Sequence, residues 1–319
     1  MMKSLVMQGD VKVQGVMLRA DWLSFLDVKP NTALSYYKAV KKFNDWRLAN
    51  GIDQPTERDI RAYKAELAEQ LSAASVQLYM VGVRQFFAYL SKRGLYENVA
   101  MNVKGMKSST EHKRDALTVE QARRVLGALD TSTIKGKRDK AMIALMLTTG
   151  LRSIELFRAD INDVELWQGE WFMRVQGKGR DEKAERVRLP LATKQLVDEY
   201  LNARGNLDGA LFQSLSNKNR GARLQTQTIS RTVKAIFRAA GINSPRLTCH
   251  SCRHTFATTA LKNGLDIASV AMVLRHKSIE TTMIYRHDLD RLNNRAELSV
   301  ADSLLGGSVN IENAPKWGT

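Results

Sequence analysis

At 319 residues with 44% hydrophobic side chains, the chain is about twice a usual domain of ~150 residues, and its apolar positions are interrupted by charge throughout. No run reaches the ~18 apolar residues of a membrane span, the first ten residues lack a signal-peptide pattern, and two cysteines are too few to staple a secreted fold. A membrane partner and an oxidising compartment are therefore excluded from the expectations, and a cytoplasmic setting is expected. The net charge of +16 points to a polyanion. Residues 1–114 hold 18 basic and 11 acidic side chains (+7), and residues 115–319 hold 31 and 22 (+9), so the charge belongs to both halves rather than to a tail.

After an N-terminal extension, 1–20, the stretch 21–103 reads as a small helical bundle without a strand. Asn31 or Thr32 is a candidate cap for a helix with the stripe Tyr36, Val40, Phe43 and Trp46, ended by Gly51. Thr56 opens a second helix through Ile60, Tyr63 and Leu67. Val76, Tyr79, Val83, Phe86, Phe87 and Leu90 mark a third, stopped by Gly94. Because these aromatics share one helical face, they are expected in the core rather than stacked on bases.

Residues 104–116, including KGMKSSTEHKRD, lose periodicity and turn basic, as an interdomain linker does. A second domain, 117–305, follows. It opens with a capping box at Thr118 and Gln121 ahead of Ala122, Val125, Leu126 and Leu129, and continues with a helix from about Lys137 to Thr149. Val164 to Trp167 and Trp171 to Val175 flank a Gln168-Gly169 turn, and a third strand runs from Arg186 to Leu191. The fold class expected is thus mainly α: an N-terminal helical domain plus a mainly helical second domain with a small three-stranded antiparallel sheet. Helices return around Ile229 to Ala240, His250 to Asn263, Ile267 to Leu274, Ser278 to Tyr285 and Leu289 to Leu304, before a tail, 306–319.

Four polar clusters mark the second domain: TTGLRSIEL (148–156), GKGRDEKAERVRLP (177–190), HSCRHTF (250–256) and LRHKSIETTMIYRH (274–287). Taken singly, each has an ordinary explanation as a salt bridge, a solvated helix face, a turn lysine or a core tyrosine. Taken together, Arg152 with Glu155, Lys178, His250 and Arg253, His276, and Tyr285 nine residues later resemble the tyrosine recombinase (phage integrase-like) family. The resemblance covers roughly Leu117 to Leu304, and more loosely the helical unit before it, which looks like the family's core-binding domain. In size the chain is nearest the Xer-like and Cre-like members. Two positions depart from the family pattern: Cys252 stands where leucine is usual, and Arg275 where glycine is usual.

What the resemblance implies is site-specific cleavage and rejoining of duplex DNA through a covalent 3′-phosphotyrosine, with Tyr285 as nucleophile. Two guanidiniums suit the charge that develops on a phosphodiester, which gives Arg152 and Arg253 the role of clamp. By family analogy His250 is the general base and Lys178 the general acid, while His276 steadies phosphate or arginines and Glu155 positions a neighbour. The expected partners are double-stranded DNA with specific sites and three further copies in a tetramer, with the C-terminal helix docking in cis or in trans and accessory DNA-bending proteins as further candidates. No cofactor and no metal is expected. Cys249-x-x-Cys252 with His250, His254 or His276 invites a zinc reading, but structural zinc draws paired ligands from separate elements. The alternatives are a tyrosine topoisomerase or hairpin-forming resolvase, and a recombinase-derived DNA-binding regulator without catalysis.

Overall fold

A computed structural model describes residues 21–106, 115–177, 180–205, 207–276, 278–285 and 296–305. The chain divides into two compact units, 1–111 and 112–319. Both are mainly helical, and the second carries one three-stranded antiparallel sheet, as the sequence pattern predicts.

The first unit contains α1 (21–25), α2 (Pro30–Ala49), α3 (Glu57–Gln70) and α4 (Ala73–Lys92). Proline at the first helical position starts α2 after Lys29, so neither Asn31 nor Thr32 is its cap; a fixed φ and a missing N–H suit Pro30 to that place. Thr56 does open α3, with Asp59 accepting from its N–H at 2.8 Å and its hydroxyl at 2.7 Å. The core is aromatic: the Phe43 ring lies 5.1 Å from Tyr63 and 5.8 Å from Phe87, both edge-on, and Trp22 meets Phe86 at 5.2 Å. Helices α2 and α4 cross closely enough that a Cβ on Gly82 would stand 2.8 Å from that of Ala39. The aromatics of α4 are thus committed to packing, Phe87 fully and Tyr79 and Phe86 in part.

In the second unit, α5 (Val119–Gly127) is opened by the reciprocal Thr118–Gln121 box, with contacts of 2.9 and 3.1 Å. Helix α6 (Ile134–Thr149) starts earlier than its apolar run implies, because Thr133 caps it through the Gly136 N–H. Residues 141–147 of α6 are buried on every side, which is why they read AMIALML rather than as a stripe. The helix forms the spine against which α8 (Leu191–Arg204) and α10 (Cys249–Lys262) pack.

Between α7 (Ser153–Arg158) and α8 lies the sheet, β1 (Val164–Trp167), β2 (Glu170–Val175) and β3 (Glu185–Arg188), in the order β1-β2-β3. Gln168 and Gly169 both take positive φ, 50° and 78°, and close the first hairpin with Trp167 opposite Glu170. Such a turn matches the natural twist of paired strands. The third strand stops at Arg188 rather than reaching Leu191, since Pro190 cannot extend a ladder and Leu191 already begins α8. Helices α7 and α8 are additions to the sequence reading. The remainder is α9 (Thr226–Ala239), α10, α11 (Ile267–Val273), α12 (280–285) and α13 (Ala296–Leu305). The start of the expected C-terminal helix, Leu289 to Arg295, lies outside the described residues.

Candidate active site

The site is built where α6, α7, α10, α11 and α12 end or begin. Helix α6 stops in a left-handed Gly150 (φ 63°), which is so tightly covered that a Cβ there would lie 2.6 Å from a Leu274 methyl. Two residues later Arg152 caps α7, and the Glu155 carboxylate accepts from the Arg152 N–H at 2.9 Å and from its Nη1 at 2.8 Å. Glu155 is fully buried, whereas Arg152 keeps 22% of its side chain exposed. Burial by itself would push the Glu155 carboxyl up, but Arg275 and Arg152 outweigh it and hold the group below the usual carboxylate range.

Helix α10 aligns His250, Arg253 and His254 within one turn. Arg253, 1% exposed, donates through Nη1 to the Gly150 carbonyl at 2.7 Å and through Nη2 to the Leu274 carbonyl, tying the end of α6 to that of α11. Its Nε has no hydrogen-bond partner among the described residues. Burial, then the neighbouring Arg152, lowers its pKa to about 9, so it remains a cation at neutral pH.

The chain leaves α11 through Arg275 to His276, whose Nδ1 lies 2.6 Å from the buried Thr282 hydroxyl. Burial and the cations Arg253, Arg152 and Arg275 bring His276 down to about 3, so its ring is neutral under ordinary conditions. Helix α12 delivers Tyr285, 4% exposed, onto Ala257, Val270 and Leu274. Its ring stands edge-on to His254 at 4.9 Å and nearly parallel to His276 at 6.3 Å; His254 in turn meets His250 at 5.3 Å.

Six of the seven expected residues, Arg152, Glu155, His250, Arg253, His276 and Tyr285, therefore fall into one connected cluster. The seventh, Lys178, lies outside the described residues. Lys183, further along the sequence, is engaged, with Nζ 2.8 Å from Asp160 and 2.5 Å from Asp163. Burial alone would lower Lys183, but those carboxylates win and raise it, which makes it a poor proton donor.

The sequence reading assigned no site role to His254 or Thr282. For His254 a signal existed, since it follows His250 by one helical turn and shares its face. Cys249 and Cys252 are free and buried; burial raises the Cys249 thiol to about 12 and Cys252 well above its usual range. No group of three His, Cys, Asp or Glu side chains is gathered as metal ligands among the described residues, nor is any helix there long and apolar enough to cross a membrane.

Comparison with known proteins gives the same grouping. The phage integrase family matches residues 115–291, and the phage integrase N-terminal SAM-like domain matches 22–94. Tyrosine recombinase XerD of Listeria monocytogenes serotype 4b (strain F2365) is 32% identical over 279 residues, covering 84% of this chain and 92% of that protein. The fold is shared with XerH site-specific recombinase in its post-cleavage complex on palindromic difH substrate, at TM-score 0.68, 23% identity, and 86% and 80% of the two chains. It is shared also with a lambda integrase tetramer bound to a Holliday junction, at TM-score 0.64, 19% identity, and coverage of 85% and 76%. By these matches and the residues gathered at the site, the chain belongs to the phage integrase family and is a tyrosine-type site-specific recombinase.

Proposed function

We propose that this recombinase cuts and rejoins duplex DNA by transesterification at Tyr285, with Arg152 and Arg253 bracketing the scissile phosphate. The observation that carries the reading is the buried Arg253 guanidinium. Its pKa is lowered by burial and by Arg152, and its Nε has no hydrogen-bond partner among the described residues, so an entering anion relieves an unfavourable field that the protein has already built. In the reaction the Tyr285 oxygen attacks phosphorus while its proton passes to His250. The bond to the 5′ oxygen breaks, and that oxygen takes a proton from Lys178. The product is a 3′-phosphotyrosine and a free 5′ hydroxyl. Attack by a 5′ hydroxyl from a second duplex runs the steps in reverse, and because the ester energy is conserved no nucleotide is consumed. His276, neutral and held by Thr282, donates a hydrogen bond to a phosphoryl oxygen from Nε2. Glu155 fixes Arg152.

Tyr285 is 4% exposed, so reaching a phosphate requires α12 to shift away from Val270 and Leu274. We assign DNA gripping to both units, residues 21–103 as the core-binding domain and 117–305 as the catalytic one, in line with the positive charge of each half. Four copies assemble on two sites, as in the lambda integrase tetramer on a Holliday junction. Helix α13 exposes Val300 (55%) and Leu304 (77%), and that apolar face is assigned to a neighbouring protomer. A complete set of reacting groups does not favour a binding-only regulator, and the recombinase relatives do not favour a topoisomerase.

The test uses a nicked substrate that traps the covalent complex. Wild-type protein forms an adduct, and Tyr285→Phe binds the same DNA without forming one. An adduct from Tyr285→Phe removes Tyr285 as the nucleophile, and no adduct from the wild type on its mapped site removes the reaction.

A further inference from the structure

Helices α2, α4, α9 and α10 all close with the same backbone motif. At the end of α2, for example, the Gly51 N–H bonds to the Leu48 carbonyl at 3.1 Å and the Ile52 N–H to the Arg47 carbonyl at 2.9 Å. The left-handed position of the motif is glycine in each of the four: Gly51, Gly94, Gly241 and Gly264, with φ of 64°, 65°, 74° and 87°. Helix α11 closes identically, with the Arg275 N–H on the Met272 carbonyl at 2.9 Å and the His276 N–H on the Ala271 carbonyl at 3.0 Å. There the left-handed residue is Arg275, at φ 56°. A Cβ is unfavourable in that region, so an arginine in it points to work done by the side chain.

That side chain turns inward and is 5% exposed. Nη2 donates to Glu155 Oε2 at 2.7 Å, Nη1 to the Val273 carbonyl at 2.6 Å, and Nε lies 3.8 Å from Glu185 Oε2. Glu155 is consequently shared, with Arg152 on Oε1 and Arg275 on Oε2. Glu185, which begins β3, is held by Arg180 at 2.8 Å, and its Oε2 and the Arg275 Nε approach without a hydrogen bond. Both Nη groups of Arg275 are thus committed within the protein. A fully buried carboxylate served by Arg152 alone would draw that guanidinium inward and offset its charge.

We propose that Arg275 is a positioning residue: by neutralising Glu155, it frees the charge of Arg152 for the DNA phosphate. The proposal rests on the reading of this site as the DNA-cleaving centre.

The experiment measures two quantities on the nicked substrate, the dissociation constant and the rate of adduct formation at saturating protein. Arg275→Gly, which keeps the left-handed backbone, should slow adduct formation about 30-fold, the size expected when a buried carboxylate loses one charged partner, with DNA affinity kept within about twofold. In a Glu155→Gln background the same change should cost no more than about twofold, because the carboxylate to be neutralised is gone. Arg275→Lys, which restores the charge, should recover most of the loss, and it decides the matter if Glu155→Gln does not fold. The proposal is overturned by wild-type cleavage in Arg275→Gly, by an equal loss in both backgrounds, by a loss confined to affinity, or by no recovery with lysine. A wild-type protein that forms no adduct overturns the cleavage reading and this proposal together, whereas an adduct from wild type and Arg275→Gly at the same rate overturns this proposal alone.

Discussion

Replacing Arg253 by methionine should separate stability from catalysis. A guanidinium held at about 9 instead of its ordinary 12.5 is disfavoured in the fold by roughly 5 kcal/mol, at ~1.36 kcal/mol per pKa unit. That penalty is already net of its bonds to the Gly150 and Leu274 carbonyls; losing the arginine relieves it but leaves those two carbonyls unpaired, at about 1–3 kcal/mol each. The opposing contributions are of similar size, and methionine fills most of the same volume, so Arg253→Met should change unfolding free energy by less than about 2 kcal/mol. Cleavage is a different matter: loss of a donor to the developing oxyanion costs about 10²- to 10³-fold in rate. Urea unfolding followed by circular dichroism, beside the rate of adduct formation at saturating DNA, measures the two effects on one preparation. A destabilisation above about 4 kcal/mol would mean that the arginine is chiefly a structural tie, and near-normal cleavage would remove it from the phosphate clamp.

Lys178→Ala should cleave ordinary DNA poorly yet recover on a substrate whose bridging 5′ oxygen is sulfur, because a thiolate leaves without a proton; an equal defect on both substrates would assign Lys178 to binding. His276, lowered from 6.5 to about 3, predicts the acid side of the stability curve. The unfolded chain takes up the proton below pH 6.5 and the folded chain does not, so the stability present above pH 6.5 is lost as pH falls towards 3. After discounting for the partly exposed ring, wild type should lose about 1–2 kcal/mol more than His276→Gln between pH 6.5 and 4.5 in urea titrations, and parallel slopes would refute this. Truncation after His287 should leave single-site binding intact and abolish two-site synapsis, measured by gel shift on paired sites; unchanged recombination would show that α13 is not exchanged.

Most elements legible in the sequence announce themselves by one-sided burial or a local cap, whereas α6, buried on every side, is read from the length of its apolar run. The stripe of α4, the cap at Thr56 and the capping box at Thr118 declare themselves locally, and so does the two-residue Gln168-Gly169 hairpin. Helix α8 was hidden because its start abuts a strand through Pro190, and α7 because six residues hold too little periodicity to register. The candidate site residues were read as types at spacings, His250 with Arg253 and His276 with Tyr285, and the fold brings these and Arg152 near one another. Their second partners were not legible, because Thr282 under His276 and Glu185 beside Arg275 depend on how α12 and the hairpin pack. Arg275 illustrates the limit: as a sequence symbol it is an extra charge open to solvent or phosphate, and only the fold turns it towards Glu155.

The two cysteines carry a practical consequence for anyone following the reaction in real time. Thiol reagents attack thiolates at accessible sulfurs, and Cys249 and Cys252 are the chain's entire complement, 7% and 0% exposed, with ionisation suppressed by burial. A cysteine introduced on an exposed residue, such as Leu78 on α4 or Leu166 on β1, should therefore take a maleimide dye as the dominant labelling site in the native protein. Fluorescence measurements of complex assembly can then be made on a chain that keeps its native residues on either side of His250 and Arg253, without first building a cysteine-free background.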